Sequence, residues 1–175
     1  MAGKVLLIGY GNPGRFDDGL GPALAERIEE ADLEGVNVQS AFQLGLEDAE
    51  ALSRNNIVIF ADAARSGPEP FRLEPVRPAS TFSFTTHSVS PGAVVALAAE
   101  LFAAQPKAFL LGIRGYVFDG FGSALSEKAA ENLQRAVSFL LEVLHHGDES
   151  FIIRALEAAS RTAERRPSQS ALQGR

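Results

Sequence analysis

Residues 5–28 read VLLIGYGNPGRFDDGLGPALAERI, and the order of features in this stretch decides the fold class. Val5–Ile8 is an unbroken apolar run that stops at Gly9, the pattern of a strand covered on both faces. The glycine-rich GYGNPGRFDDGLG follows. Pro22 then suits the first turn of a helix, where a missing N–H costs nothing. Leu24, Ala25 and Ile28 repeat at helical spacing, so the helix is expected to reach about Glu30. Buried strand, glycine-rich turn and amphipathic helix in that order open a parallel α/β unit.

The rest of the chain repeats the alternation. Val36 and Val38 begin a second short strand, Asp48–Leu52 is a weaker helical segment, and Asn56–Ala61 is a β-branched buried strand running up to Asp62. Phe71, Leu73 and Val76 lie in PEPFRLEPVRP, whose prolines place this strand at a sheet edge. Thr81–Ser90 is polar and irregular, Pro91 opens a helix, and Ala108–Ile113 reads as another buried strand. Ser126 is expected to cap a long helix over about Glu127–Leu144, with Gly147 ending it. Phe151–Arg165 carries a further amphipathic helix before a polar tail. The sequence therefore predicts an α/β protein: a three-layer α/β/α sandwich around a mostly parallel twisted sheet. Residues 1–147 form the single α/β domain and 148–175 a C-terminal amphipathic helix and polar tail, the helix packing on the domain.

Composition narrows the chemistry. The 175 residues contain no cysteine and three histidines, His87, His145 and His146. Thiol nucleophiles, disulfides and iron–sulfur clusters are excluded, and any metal site must lean on carboxylates. The net charge of −6 offers no basic stripe for nucleic acid. No apolar run approaches the ~20 residues of a membrane span. A cytoplasmic protein is the expectation, with neither nucleic acid nor membrane as partner. Charge is uneven, at −9 over residues 1–153 and +3 over 154–175.

Ligands of such folds gather outside the carboxyl ends of the strands, at a topological switch point. Asn12, Asp17 and Asp18 follow the first strand, Asp62 ends the third, and His87 precedes a helix. A neutral imidazole and two carboxylates converging there can hold a divalent cation such as nickel, zinc or manganese. The alternative for Asp62 is a structural role capping the next helix. Gly9–Gly14 formally satisfies G-x-G-x-x-G, but the helix opens too late and Pro13 removes an N–H donor. No G-x-S-x-G elbow, P-loop or H-E-x-x-H is present. His145 and His146 fall at a helix C-terminus, where cations suit the macrodipole, and Asp119 reads as a turn residue.

These residues resemble the hydrogenase maturation endopeptidases, proteases that trim the C-terminus of the NiFe-hydrogenase large subunit. The family pattern is matched by Gly9, Gly11, Asn12, Asp17, Asp18, Gly19 and Gly21. The IVIFADAA strand with Asp62, the THSVSPGAVVALA segment with His87, and LLGIRGYVFDGFGSALSEKAAENL continue the match. Together they cover about residues 4–145. The resemblance implies a phosphorylase/hydrolase-like fold and an endopeptidase of aspartic type. Its substrate would be a nickel-loaded large-subunit precursor, which loses a C-terminal extension. Asp18, Asp62 and His87 would be the catalytic and metal-binding set. They would bind the substrate's nickel transiently, with no resident cofactor, and the substrate would bring its own thiolates. Asn12 and Asp17 would shape the loop, or Asp17 would serve as an extra acid or base. Asp18 stands where some members have glutamate, and nothing carries over onto residues 150–175. A monomer is expected. Two other readings stay open: a non-enzymatic nucleotide-binding or regulatory module built on GYGNPG, and an aminopeptidase-like hydrolase with its own metal.

Overall fold

The computed structural model describes residues 4–79 and 89–164. Five strands, β1 (Val5–Tyr10), β2 (Val36–Ala41), β3 (Ile57–Ala64), β4 (Phe71–Pro75) and β5 (Lys107–Arg114), form one sheet in the order β2-β1-β3-β5-β4. All neighbours pair in parallel except β4, which runs antiparallel to β5 at the edge. Five helices complete the fold: α1 (Leu20–Glu29), α2 (Asp48–Ser53), α3 (Pro91–Phe102), α4 (Glu127–His145) and α5 (Glu149–Glu164). The predicted three-layer α/β architecture and the proline-bounded edge strand are both present.

Alternation along the central strands builds two cores. Val5 and Leu7 of β1 join Ile57 and Ile59 of β3 under α1 and α4. Leu6, Ile8, Val58 and Phe60 face the other way, under α2 and α3. Each central strand is buried on both faces, which is why its sequence is continuously apolar rather than alternating. The helix α5 adds Ile152 and Leu156 to the first core and packs against β4. The C-terminal helix is thus seated on the domain, as expected.

Several boundaries move, each for a local reason. Strand β1 runs through Gly9 to Tyr10, since these residues still pair with Ser40 and Ala41 of β2. Helix α1 starts at Leu20 and carries Pro22 in its first turn, as expected. Gly9 and Gly21 set how α1 meets the sheet. A Cβ on Gly9 would lie 2.2 Å from the Gly21 carbonyl oxygen, and one on Gly21 2.3 Å from that of Tyr10. The helix thus begins in backbone contact with the end of β1. Strand β3 continues past Asp62 to Ala64, held by β5 alone beyond Ala61. Ser126 stands at the N-cap of α4 without capping it by its side chain.

Leu156 of α5 is fully buried, so its packing tests how far α5 belongs to the domain. Leu156→Ala is expected to lower unfolding free energy by about 2–5 kcal/mol, read by urea denaturation, with one cooperative transition retained. A change below about 0.5 kcal/mol would show α5 to be a dispensable appendage.

Candidate functional site

The sheet order places β2 on one side of β1 and β3 on the other, so the switch point falls between the carboxyl ends of β1 and β3, where ligands of open α/β sheets bind. The chain leaves β1 through Gly11, whose φ of +141° and 2.1 Å spacing from a would-be Cβ to the Asp18 carbonyl oxygen admit only glycine. The loop then folds on itself. The Asn12 N–H donates to Asp18 Oδ2 at 2.9 Å, and Asn12 Oδ1 accepts from the Gly14 N–H at 2.8 Å. A 3-10 turn over Phe16–Gly19 leads into α1.

Asp17 and Asp18 are adjacent and have opposite surroundings. Asp17 is fully buried. Its carboxylate accepts from the N–H groups of Tyr116 (2.7 Å), Val117 (2.9 Å) and Ser126 (2.7 Å), and from the Ser126 hydroxyl (2.7 Å). Burial opposes its ionisation, but these four donors prevail and hold its pKa below the usual 3.8. A carboxylate so fully engaged is a fastener, which leaves no acid or base role for Asp17. Asp18 is only half-buried and uses one oxygen in the loop.

Asp62 is the first residue of β3 beyond its pairing with β1. Its Oδ1 accepts from the Ala63 N–H at 2.7 Å. Strand alternation puts it on the α2–α3 face, the face on which Tyr10 of neighbouring β1 packs. Burial raises the Asp62 pKa to about 6; the Ala63 N–H and the Tyr10 hydroxyl act against that shift, and the negative charge of Asp18 adds to it. Burial, then the charge of Asp62, pushes the Tyr10 phenol upward in turn, so it stays protonated and able to donate. Tyr10 is the site residue that sequence reasoning missed. Its only signal was position, the last residue of the buried strand on the same alternation as Ile8.

The structure thus brings Asp18 and Asp62 together at the switch point. His87 lies outside the described residues. Its flanks are described: the Ala79 N–H donates to the Gly92 carbonyl oxygen at 2.9 Å, Ser90 caps α3 through the Ala93 N–H at 3.2 Å, and Val89 packs on the same core as Tyr10. Among the described residues no three His, Cys, Asp or Glu side chains converge as a metal cluster.

Other candidates resolve simply. Each N–H from Gly11 to Asp18, Pro13 having none, already donates within the protein. The GYGNPG loop therefore has no free donors for a phosphate, which removes the dinucleotide reading of this motif. His145 and His146 end α4, about 28 Å of helix from Ser126, and His146 stacks on Phe151 with ring centroids 3.8 Å apart. Asp119 is exposed in a bend before Gly120, whose φ is +96°. No helix among the described residues is long and apolar enough to cross a membrane.

No protein-family model matches the chain, and no curated protein does either. Solved structures do. The chain is 23% identical to the NiFe hydrogenase maturation protease HycI from Thermococcus kodakarensis KOD1, with a TM-score of 0.64 over 81% of this chain and 92% of that one. It is similar to the hydrogenase maturating endopeptidase HybD from E. coli at 19% identity and TM-score 0.62, over 82% and 93% of the two chains. A hydrogenase 2 maturation peptidase from Thaumarchaeota archaeon SCGC_AB-539-E09 gives 22% and 0.60, over 81% and 97%. The chain has the fold of these proteins.

Two stability measurements separate the aspartates. Asp17→Asn replaces an acceptor by a donor among four donors and is expected to cost about 2–4 kcal/mol. The contribution of Asp17, whose pKa is depressed, is complete above about pH 4 and lost as pH falls below 3.8. Asp62 has the opposite sign. Its ionisation penalises the folded state, a penalty absent below about pH 4 and complete above about pH 7, since its pKa is raised to about 6. Asp62→Asn should stabilise the protein by about 1–3 kcal/mol at pH 8 and leave it unchanged at pH 4. Equal effects at both pH values would contradict the raised pKa.

Proposed function

We propose that this chain is a hydrogenase maturation endopeptidase. It removes the C-terminal extension of a NiFe-hydrogenase large-subunit precursor and recognises the bound nickel through Asp18, Asp62 and His87. The observation that carries this is the meeting of Asp18 and Asp62 at the β1–β3 switch point, in a fold shared with three proteins described as hydrogenase maturation proteases or peptidases. The sequence motifs that resemble the family fall on the same two loops. His87 is the third ligand in this proposal; it precedes α3 in the chain, and the described residue Val89 between them packs on the same core as Tyr10.

The residues divide the work by environment. Asp18 presents an oxygen anchored by the Asn12 N–H. Asp62 is held by the Ala63 N–H, has the Tyr10 hydroxyl close enough to favour its charged form, and is ionised above about pH 6, so near neutrality it can bind a cation or accept a proton from water. The nickel arrives with the substrate. Placed against the scissile bond, it polarises the carbonyl or lowers the pKa of a bound water. The substrate's thiolates complete its coordination, consistent with a chain that has no cysteine. We further propose that the protein acts in the cytoplasm as a monomer.

Nickel-loaded precursor incubated with the protein should lose its C-terminal peptide, and nickel-free precursor should not, as read by intact mass. Asp18→Ala and His87→Ala should each slow processing at least 100-fold without unfolding the protein. Unimpaired cleavage by His87→Ala would remove it from the site. A stoichiometric metal in the purified protein would replace the substrate-nickel mechanism with one based on a resident ion.

A further inference from the structure

The two edges of the sheet are treated differently. At the β4 edge, Pro70 precedes the strand and Pro75 ends it. Arg72 and Glu74 pair at 3.4 Å on it, and α5 packs against it. These are the usual devices that stop an edge from pairing with another chain. Strand β2, VNVQSA, has no proline and no charge. In a parallel ladder successive residues turn their N–H and C=O to opposite sides. The Ala41 carbonyl accepts from the Gly11 N–H, so Asn37, Gln39 and Ala41 serve β1. Val38 and Ser40 turn their backbone groups outward.

Beside this edge, which no strand pairs with among the described residues, lies a cleft of about 460 Å³, lined by Val38 and Ser40, by Glu26 and Glu29 of α1, and by Phe16 and Leu125 from the loops beyond the strand ends. Both glutamates are exposed. We propose that the β2 edge and this cleft bind an extended basic segment of the protein substrate, which pairs with Val38 and Ser40 as a sixth strand. Main-chain bonds to the open edge give affinity, and alternate side chains give specificity. On one face those side chains meet Glu26 and Glu29, which select lysine or arginine. The six residues of β2 offer about 20 Å of edge, ending beside Phe42, which is 69% exposed. Phe16 ties the cleft to the loop that carries Asp18. A second copy of this chain is a poorer occupant, because edge-to-edge pairing sets the Glu26–Glu29 pairs of both copies around one junction.

That the bound segment belongs to the substrate rests on the peptidase reading; the open edge and its charge do not. The test therefore has two arms. The blocked hexapeptide KVKTKV should slow amide hydrogen exchange at Val38 and Ser40 of the intact protein, and its acidic counterpart EVETEV should not. Val38→Pro removes an outward N–H without breaking a ladder bond to β1 and should weaken KVKTKV binding at least tenfold. Ser40→Pro serves the same purpose if the first variant folds poorly, and Glu26→Lys with Glu29→Lys should abolish the preference for the basic peptide. In the second arm, KVKTKV should slow cleavage of nickel-loaded precursor by the wild type. Absence of protection at Val38 and Ser40, full binding by the proline variants, or concentration-dependent self-association through this edge would overturn the proposal. Peptide binding without any precursor cleavage would instead remove the peptidase reading and its assignment of the segment to a substrate.

Discussion

A single buried carboxylate joins parts of this protein that lie about a hundred residues apart in sequence. Asp17, in the turn after the first strand, accepts from Tyr116, Val117 and Ser126 about a hundred residues later. Those donors lie in the connection from β5 to α4. Asp17 therefore fixes the first loop, the β5–α4 connection and the start of α4 against one another. Burying a charge without partners costs several kcal/mol, so the arrangement persists only with all its donors in place. Neighbouring backbone bonds close the same seam. Phe16 donates to the Gly122 carbonyl and Gly122 to that of Gly14, and Phe16 itself is held at a φ of +50°.

This fastening gives the site its character. With Asp17 locked inside, Asp18 is left at the rim, facing the end of β3. There Asp62 occupies the fork where β1 stops pairing and β5 continues. The fork exposes a carboxylate at the top of a buried strand, in surroundings dry enough to raise its pKa to about 6. One aspartate stabilises the fold by being ionised, and the other burdens it by being ionised. Raised carboxylate pKa values of this kind recur at functional sites, which is why Asp62 enters the proposed one.

Much of this was legible in the sequence. The apolar runs at Val5–Ile8 and Asn56–Ala61 identified the central strands, because strands covered on both faces need no polar positions. Prolines around Phe71–Val76 marked the edge, since proline cannot donate to a ladder. Acidic residues just after two buried strands pointed to the carboxyl edge of the sheet. Strand β3 outran its expected end because Ala63 and Ala64 pair with β5, a partner invisible to local pattern. Ser126 sits at the start of α4 as anticipated, yet its hydroxyl serves Asp17. Helix-cap chemistry predicts a local partner and has no means of naming one 109 residues away.

The pair Asp17–Asp18 draws the boundary between the two kinds of information. The sequence by itself determined that two carboxylates follow the first strand, that a third ends another, and that strands and helices alternate around a parallel sheet. These follow from hydrophobic period and turn chemistry, which are local. Which aspartate turns inward was decided by the tertiary structure. Successive side chains of a 3-10 turn point about 120° apart, and the direction that meets the β5–α4 connection finds four donors while the other finds the Asn12 N–H. Two chemically identical neighbours thus part company, one sealed among four hydrogen bonds and the other left at the rim, because the donors come from about a hundred residues further along the chain.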